Sequence, residues 1–192
     1  SSSKGYDLCK TQLAKDKLAL SMHNTFLSGL KANKDKITVS IKGYTEKQVY
    51  AAFQSSLQMI FDEHPEIFWL DTMQNLVVSS DHKTLTFYPR PASGYGTASK
   101  DGLTASKLNT TAIKNTKMNE AVKKMTGSTT YEQVKAIHDG IINKTQYPAN
   151  PDKATHNQHQ AVGPLVEGKA VCDGYAKAFK YACDQKGIPC VI

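Results

Sequence analysis

The stretch that most constrains the fold is GKAVCDGYAKAFKYACDQKGIPCVI, at residues 168–192. It predicts one helix, which begins at Cys172 and ends before Gly187. Cys172 follows a glycine-containing turn, and Gly187 is the type of residue that ends a helix in the left-handed conformation. The residues after Gly187, IPCVI, are expected to begin a strand. The helical face expected to be buried against that strand consists of Cys172, Tyr175, Ala176, Phe179 and Cys183.

A strand at 188–192 would leave an edge with nothing after it in the sequence to pair with. Unpaired strand edges expose N–H and C=O groups and promote association between copies of a chain. The sequence therefore predicts a chain that is cut inside a domain, with self-association through the exposed C-terminal edge.

Residues 1–90 begin with helical patterns. Apolar residues at helical spacing predict a helix at 7–29, which ends at Gly29. A second helix is predicted after Thr45 and Gln48, whose spacing forms a capping box. The N-terminal region is therefore expected to be rich in helix.

Strand patterns in the same region are short. KITVSIK at 36–42 alternates apolar and polar residues, and NLVVSSDHKTLTFY at 75–88 is typical of a hairpin. Pro65 is expected to end the second helix, with Phe68 and Trp69 in a short extended piece after it. The sequence thus predicts an α+β fold, with a helix-rich N-terminal region and a small antiparallel sheet.

Residues 89–102, PRPASGYGTASKDG, are rich in Pro, Gly and Ser and predict a loop or mobile connection. Two more helices are predicted after it, at about 103–125 and from Thr129 to about Asn143. The predicted organisation is an N-terminal α+β region at 1–90, a linker at 91–102 and a second region at 103–192.

The charge of the chain argues against nucleic acid as a partner. The formal net charge is +7, and Arg90 is the single arginine among the 24 basic residues. Proteins that bind nucleic acid concentrate basic residues and use arginine for paired contacts, whereas these lysines are scattered. Weak attraction to an anionic surface such as a cell wall fits better. No apolar run is long enough for a membrane span, and the N-terminus shows no signal peptide.

The four cysteines are Cys9, Cys172, Cys183 and Cys190. None forms a C-x-x-C pair, and no cysteine–histidine spacing resembles a zinc site. We therefore expect free thiols, no metal and no cofactor. Cys183 and Cys190 are predicted to be buried small residues of the core, and a bridge involving Cys9 stays open as an alternative.

Cys172 has a position suited to chemistry. The N-terminus of a helix presents free backbone N–H groups and the positive end of the helix dipole, which stabilise a thiolate. The same groups can stabilise the oxyanion that forms when a thiolate attacks an acyl carbon. Gly174 is expected to keep the approach to the thiol open. The alternative is a half-buried cysteine that happens to begin a helix.

The segment from Gly168 to Cys190 resembles the cysteine motif of the transglutaminase-like family, within the papain-like superfamily. The matching features are a glycine, the cysteine, a Tyr-Ala pair, an apolar helix and a Gly-Ile-Pro turn into a strand. These are Gly168, Val171, Cys172, Asp173, Gly174, Tyr175, Ala176, Phe179, Gly187, Ile188 and Pro189. The resemblance covers 128–192 firmly and 45–90 loosely, and it implies that 103–192 is the N-terminal portion of a transglutaminase-like core.

The resemblance implies that Cys172 is the nucleophile of a triad. In the family a His and then an Asp follow the Cys along the chain, and the His takes the thiol proton while the Asp orients it. No histidine follows Cys172 here, and neither Asp173 nor Asp184 is expected to serve as the third member. His138, on an apolar helical stripe, is predicted to be a hydrogen-bonded core histidine. The residues expected to line the cleft are His159, Asp173, Gly174 and Tyr175.

The expected function is that of a cysteine-dependent acyl-transfer enzyme, either a protease or amidase or a protein cross-linking transglutaminase. Its substrates would be peptide or glutamine carboxamide groups of proteins, and the 192-residue chain itself is expected to be inactive because it lacks the His and Asp of the triad. The alternative is a non-catalytic module of the cell surface that binds peptides or a cell-wall component. The resemblance implies an extracellular or cell-surface location.

Overall fold

The computed structural model describes residues 13–96, 98–99, 102–103 and 107–192. Cys9 and the first part of the helix predicted at 7–29 lie outside the described residues. The described chain divides into two compact units. Of the described residues, one unit contains 13–61, 69–96, 98–99, 102–103 and 107–110, and the other contains 62–68 and 111–192. The domain boundaries predicted from the sequence stay a prediction.

The first unit begins with helix α1, Lys17–Lys31. The Asp16 carboxylate caps it by accepting a hydrogen bond from the Ala19 N–H at 3.0 Å. The helix does not end at Gly29 as predicted, because it continues for two more residues to Lys31. The Ile37 side chain fills the space that a Cβ at Gly29 would need. This glycine therefore serves close packing and not helix termination.

The antiparallel sheet contains strands β1 (Ile37–Ser40), β2 (Asn75–Val78) and β3 (Thr84–Tyr88), in the order β1-β3-β2. Both the strand predicted at 36–42 and the hairpin predicted at 75–88 are confirmed. Strand β1 buries alternate residues, and Ile37 pairs with Phe87 of β3.

Part of the predicted loop at 89–102 is anchored in this unit. The Ala92 N–H donates to the Trp69 carbonyl at 2.8 Å, and the Tyr95 side chain is buried. Strands β4 (Ala98–Ser99) and β5 (Gly102–Leu103) then form a short antiparallel pair.

Helix α2, Glu46–Glu63, begins with the predicted capping box. The Thr45 N–H donates to the Gln48 side chain at 2.9 Å, and the Gln48 N–H donates to the Thr45 hydroxyl at 3.3 Å. The helix ends before Pro65, as predicted. The chain then forms a 3-10 turn at Pro65–Ile67. The short extended piece expected at Phe68 and Trp69 is a turn instead, in which Phe68 has right-handed helical backbone angles.

Three aromatic rings form the centre of the first unit. Phe26, Phe53 and Phe87 lie on α1, α2 and β3, and their ring centroids are 4.8–5.9 Å apart. Two of the three contacts are edge-to-face, the arrangement that the charge distribution of aromatic rings favours. The two helices therefore pack on one face of the sheet through these rings.

The second unit contains most of helix α3 (Lys107–Lys123) and the whole of helix α4 (Thr130–Ile142). Helix α4 begins with a capping box formed by Thr129 and Glu132. The prediction for His138 is wrong: its side chain is exposed and contacts the neighbouring Asp139 at 3.0 Å. The buried residues of α4 are Ile137 and Ile141, and the His138 ring lies outside the face that they form.

Helix α5, Cys172–Gln185, begins and ends where the sequence predicts, and Gly187 follows it with φ of 68°. The predicted buried face is wrong, since Cys172 is exposed and Tyr175, Ala176 and Phe179 are half-buried. The helix is instead packed by α4 and by the segments at 65–67, 156–159 and 163–167. These contacts bury Gly174, Lys177, Ala178, Lys180, Tyr181, Ala182 and Cys183.

The strand predicted at 188–192 is also wrong. The Ile188 N–H donates to the Cys183 carbonyl at 2.9 Å, and residues 188–192 have no strand partner among the described residues. The edge that was expected to promote self-association is therefore not formed here. Cys190, predicted to be buried, is half-exposed.

The α+β class is confirmed by the antiparallel sheet and the helices together. Across the described residues, no helix has the length and apolar character that crossing a membrane requires.

Candidate functional site at the start of the C-terminal helix

The turn before Cys172 is held by backbone hydrogen bonds to the loop after α4. The Gln146 N–H donates to the Gly168 carbonyl at 2.9 Å, and the Ala170 N–H donates to the Gln146 carbonyl at 3.2 Å. Gly168 has φ of 70°, and a Cβ at this position would lie 3.1 Å from the Lys144 carbonyl oxygen. A residue without a side chain suits that position on both counts. These hydrogen bonds therefore fix the position at which α5 begins.

Cys172 is the first residue of α5, and its side chain is exposed. The residue before it, Val171, is the N-cap and contributes no side-chain cap. The thiol thus lies at the end of the helix where backbone N–H groups have no helical partners and the dipole is positive. The predicted placement of Cys172 at a helix N-terminus is confirmed.

Gly174 allows a close contact and does not open an approach to the thiol. It is buried, and the Gln158 carbonyl oxygen occupies the space that a Cβ would fill. The same carbonyl accepts a hydrogen bond from the Val171 N–H at 3.0 Å. The segment at 156–159 is therefore pressed against the first turn of the helix.

This contact places His159 next to Asp173, the residue that follows Cys172. The His159 Nδ1 lies 2.9 Å from each carboxylate oxygen of Asp173, and both side chains are a little less than half exposed. Asp173 also accepts a hydrogen bond from the Gly174 N–H at 3.0 Å, which fixes the carboxylate on the helix turn. The structure thus pairs two of the residues that were expected to line the cleft.

The pairing has a consequence for the histidine. An ionised carboxylate can only accept hydrogen bonds, so the proton of a neutral His159 resides on Nδ1. Its Nε2 is then left as a hydrogen-bond acceptor. Among the described residues, no hydrogen bond joins the Cys172 thiol to a histidine.

The sequence did not reveal this pair. The sequence predicts His159 and Asp173 as two residues of the cleft lining, but it does not predict that they pair. The two residues are fourteen positions apart, a separation that follows neither a helical nor a strand period, so spacing alone could not join them. The only sequence signal was an acidic residue in the first helical turn with a histidine-containing loop just upstream.

Tyr175 lies on the other side of the helix start. Its hydroxyl donates to the Thr145 carbonyl at 2.9 Å, and its ring stacks on Tyr147 with centroids 6.4 Å apart. Burial, and to a smaller extent Tyr147, raises the pKa of Tyr175. Tyr175 therefore fastens the helix to the loop after α4 and keeps its proton.

The segment carrying His159 is held at two further points. The His156 Nε2 lies 2.6 Å from the Phe68 carbonyl, and the Lys177 ammonium donates to the His159 carbonyl at 3.0 Å. Lys177 is buried, and burial lowers its pKa in spite of the charges of Asp173 and Asp62. The backbone around His159 is therefore positioned by contacts that do not involve its ring.

No group of three His, Cys, Asp or Glu side chains within the described ranges is placed to hold a metal ion.

Residues 118–192 match the profile of the transglutaminase-like superfamily. A search of curated proteins gave no match. The matched residues include α4, the His159 segment and the whole of α5, and they support the general class of papain-like cysteine acyl-transfer proteins. The match supports an assignment of residues 118–192 to the transglutaminase-like superfamily.

Proposed function

We propose that Cys172 is the nucleophile of a cysteine-dependent acyl-transfer site that acts on peptide bonds or on glutamine carboxamide groups. The observation that carries this proposal is the placement of an exposed thiol on the first residue of α5, beside the His159–Asp173 pair. An exposed cysteine with an electropositive environment is the kind that reacts, whereas a buried one is inert.

The reaction follows from the helix start. The Cys172 thiolate attacks the carbonyl carbon of the amide, and a C–S bond forms as the carbonyl electrons move to oxygen. Backbone N–H groups at the helix N-terminus can donate to that oxyanion. Collapse of the intermediate breaks the C–N bond, and the leaving nitrogen takes a proton. Water or an amine then attacks the thioester, and the thiolate is released.

We expect His159 and Asp173 to line the cleft beside the thiol. The carboxylate holds the ring so that Nε2 is free to accept a proton. The family places its own His and Asp after the nucleophile in sequence, and residues 173–192 contain no histidine. We therefore expect the 192-residue chain to form the thioester poorly and to show no turnover.

The test is the rate at which Cys172 is alkylated. Trypsin separates the cysteines, since Cys172 lies in the peptide 170–177 and Cys183 in the peptide 181–186. At neutral pH we expect iodoacetamide to modify Cys172 faster in the folded chain than in the denatured chain, because the His159 ring beside the helix start can accept the thiol proton. Mass spectrometry of the peptides gives both rates in one experiment.

His159→Gln keeps the size of the side chain but cannot act as a base, and it is expected to slow alkylation of Cys172 without changing that of Cys190. The matched control is His138→Gln, because His138 is an exposed histidine beside an aspartate on α4. Equal rates for Cys172 in the folded and denatured chains would contradict the nucleophile and favour a non-catalytic surface module. Release of ammonia from a glutamine peptide that Cys172→Ala abolishes would overturn the expected lack of turnover.

A further inference from the structure

Two tyrosine rings lie on the side of the α5 start that faces away from Asp173. Tyr175 and Asp173 are two positions apart on the helix, and residues at that spacing point to different faces. The ring of Tyr147, from the loop after α4, stacks on Tyr175 with the centroids 6.4 Å apart and the planes 19° from parallel. The tyrosine pair, Tyr147 and Tyr175, is therefore a feature separate from the His159–Asp173 pair.

The helix brings the tyrosine pair close to the thiol. Cys172 and Tyr175 are three positions apart on α5, and side chains at that spacing are neighbours with Cβ atoms about 5–6 Å apart. Side chains on a helix also lean towards its N-terminus, which here is the end that carries Cys172. The Tyr175 ring therefore extends towards the end of the helix where the exposed thiol lies.

Hydrogen bonds hold the tyrosine pair in place. The Tyr175 hydroxyl donates to the Thr145 carbonyl at 2.9 Å. The next residue, Gln146, donates its N–H to the Gly168 carbonyl at 2.9 Å, so it belongs to the hydrogen-bonded turn that leads into α5. Tyr147 follows Gln146 directly, and its backbone starts from the same fixed point. The rings are thus ordered before any ligand arrives, which lowers the entropy cost of binding one.

The tyrosine pair leaves aromatic surface open to solvent. Tyr147 is 55% exposed, and Tyr175 is half-buried. Carbon atoms in contact lie about 3.5–4.0 Å apart, so rings whose centroids are 6.4 Å apart do not cover each other fully. Aromatic rings favour further rings in offset or edge-to-face contact. The open surface is therefore suited to a third aromatic ring.

The charges around the tyrosine pair disfavour a cationic ligand. The face of a tyrosine ring can also attract the side chain of a lysine or arginine. Here two exposed lysines lie next to the loop that carries Tyr147: Lys144 precedes Thr145, and Lys169 forms a bridge with Gln146. Their positive charges repel a cation, so an uncharged aromatic side chain fits this surface better.

We propose that Tyr147 and Tyr175 determine specificity at the Cys172 site, by binding an aromatic side chain on the substrate residue that precedes the one attacked. Neighbouring residues of a peptide have Cα atoms about 3.8 Å apart, so the side chain of the preceding residue reaches rings that lie next to the thiol. This inference rests on the proposed function of Cys172. It narrows the substrates to peptides in which the reactive carbonyl or carboxamide follows an aromatic residue.

The experiment compares two peptide reagents on the folded 192-residue chain, acetyl-Phe-Gly chloromethyl ketone and acetyl-Ala-Gly chloromethyl ketone. The Cys172 thiolate attacks the chloromethyl carbon, a C–S bond forms, the C–Cl bond breaks and chloride leaves. The reagents both place glycine at the attacked position and differ only in the residue before it. Modification is followed by mass spectrometry of the tryptic peptide 170–177, which contains Cys172.

We expect the phenylalanine reagent to modify Cys172 in the folded chain about tenfold faster than the alanine reagent, because it adds an aromatic contact. In the denatured chain the two rates are expected to be equal. Cys190, half-exposed and in the separate tryptic peptide 187–192, is the internal control and should react equally with both reagents. Equal rates at Cys172 in the folded chain, or the same preference at Cys190, would overturn the proposal.

Variants of Tyr147 test the ring directly, since this exposed side chain can be removed without opening the core. Tyr147→Ala is expected to reduce the preference for the phenylalanine reagent to about twofold or less, and Tyr147→Phe to retain it. The matched control is Tyr131→Ala, which removes an exposed tyrosine of α4 and should leave the preference unchanged. A preference that persists in Tyr147→Ala would contradict the assignment.

Iodoacetamide separates a failure of this inference from a failure of the proposed function, because it is too small to use the tyrosine pair. Suppose that it modifies Cys172 faster in the folded than in the denatured chain while the two ketones react equally. The nucleophile then stands and the specificity site is overturned. If the iodoacetamide rates are equal but the preference exists and depends on Tyr147, the nucleophile fails and the binding of an aromatic side chain stands.

Discussion

At the scale of single residues, Lys180 is the least expected feature of the chain. A lysine is almost never fully buried unless its charge is paired. Burial by itself would lower the pKa of Lys180, but Asp184, its hydrogen-bond partner, and the nearby Glu63 leave the pKa raised. The ammonium therefore stays charged inside the second unit, and the carboxylate of Glu63, equally buried, depends on it.

Lys180→Met tests this dependence. The substitution keeps the length of the side chain but leaves Glu63 buried without its counter-charge, which is expected to cost about 3–5 kcal/mol in the free energy of unfolding. The measurement is urea unfolding followed by circular dichroism. The matched control is Lys135→Met, because Lys135 and Asp139 form the same i, i+4 pair on α4 in solvent. Similar effects of the two substitutions would contradict a special role for Lys180.

At the scale of elements, the packing of the first turn of α5 against the segment at 156–159 depends on Gly174. A Cβ at Gly174 would collide with the carbonyl oxygen of Gln158, and a backbone atom cannot move aside as a flexible side chain can. Gly174→Ala is therefore expected to destabilise the chain by about 1–3 kcal/mol although alanine is the better helix former.

Gly140 on α4 provides the control for Gly174. The three atoms nearest to a Cβ there all belong to the flexible side chain of Met125, at 3.0–3.5 Å. We expect Gly140→Ala to be neutral or slightly stabilising, since alanine favours the helix. Urea unfolding of both variants gives the comparison, and an equal gain in stability from both would show that the contact with Gln158 is not tight.

Local signals in the sequence predicted most of these elements. The capping box at Thr45, the hairpin at 75–88 and the left-handed Gly187 each depend on residues within a few positions of one another. The partners of the site could not be predicted in this way. His159 meets Asp173 because a carbonyl of its own segment packs against the helix start, and that is a tertiary contact.

The buried face of α5 was mispredicted for a related reason. A pattern of apolar residues places lysine on the solvent side of a helix. Here Lys180 is buried because Glu63 and Asp184 surround its ammonium, and Lys177 is buried because it donates to the His159 carbonyl. A helix packed on several sides does not show one apolar stripe, so its orientation could not be predicted from hydrophobicity.

At the scale of the whole molecule, a short piece from the middle of the chain completes the second unit. Residues 62–68 belong with 111–192, and they contact His156, which lies before α5, and Lys180 within it. The Phe68 carbonyl holds His156 near the start of α5, and Glu63 faces Lys180 farther along the same helix. The segment that matches the superfamily profile is thus supported by residues outside the match.

The packing around Tyr181 also makes the stability of the second unit change with pH in the alkaline range. Burial, with a smaller effect of Glu66, raises the pKa of Tyr181 from 10.0 to about 12. The Tyr181 hydroxyl donates to the Asn119 side chain at 2.5 Å, which a phenolate cannot do. Above pH 10 the unfolded chain loses this proton while the folded chain keeps it, so the stability due to Tyr181 is complete below pH 10 and falls as pH rises.

Urea unfolding of the wild type and of Tyr181→Phe at several pH values isolates this effect. Lys177, whose pKa is lowered, acts in the opposite direction, but it is present in both proteins and cancels in the difference. We expect the stability difference between wild type and Tyr181→Phe to fall by about 1.3 kcal/mol between roughly pH 9 and pH 11. Tyr131→Phe removes an exposed tyrosine of α4 and should show no such change. A difference that stays constant with pH would mean that Tyr181 ionises normally and that this part of the second unit admits water.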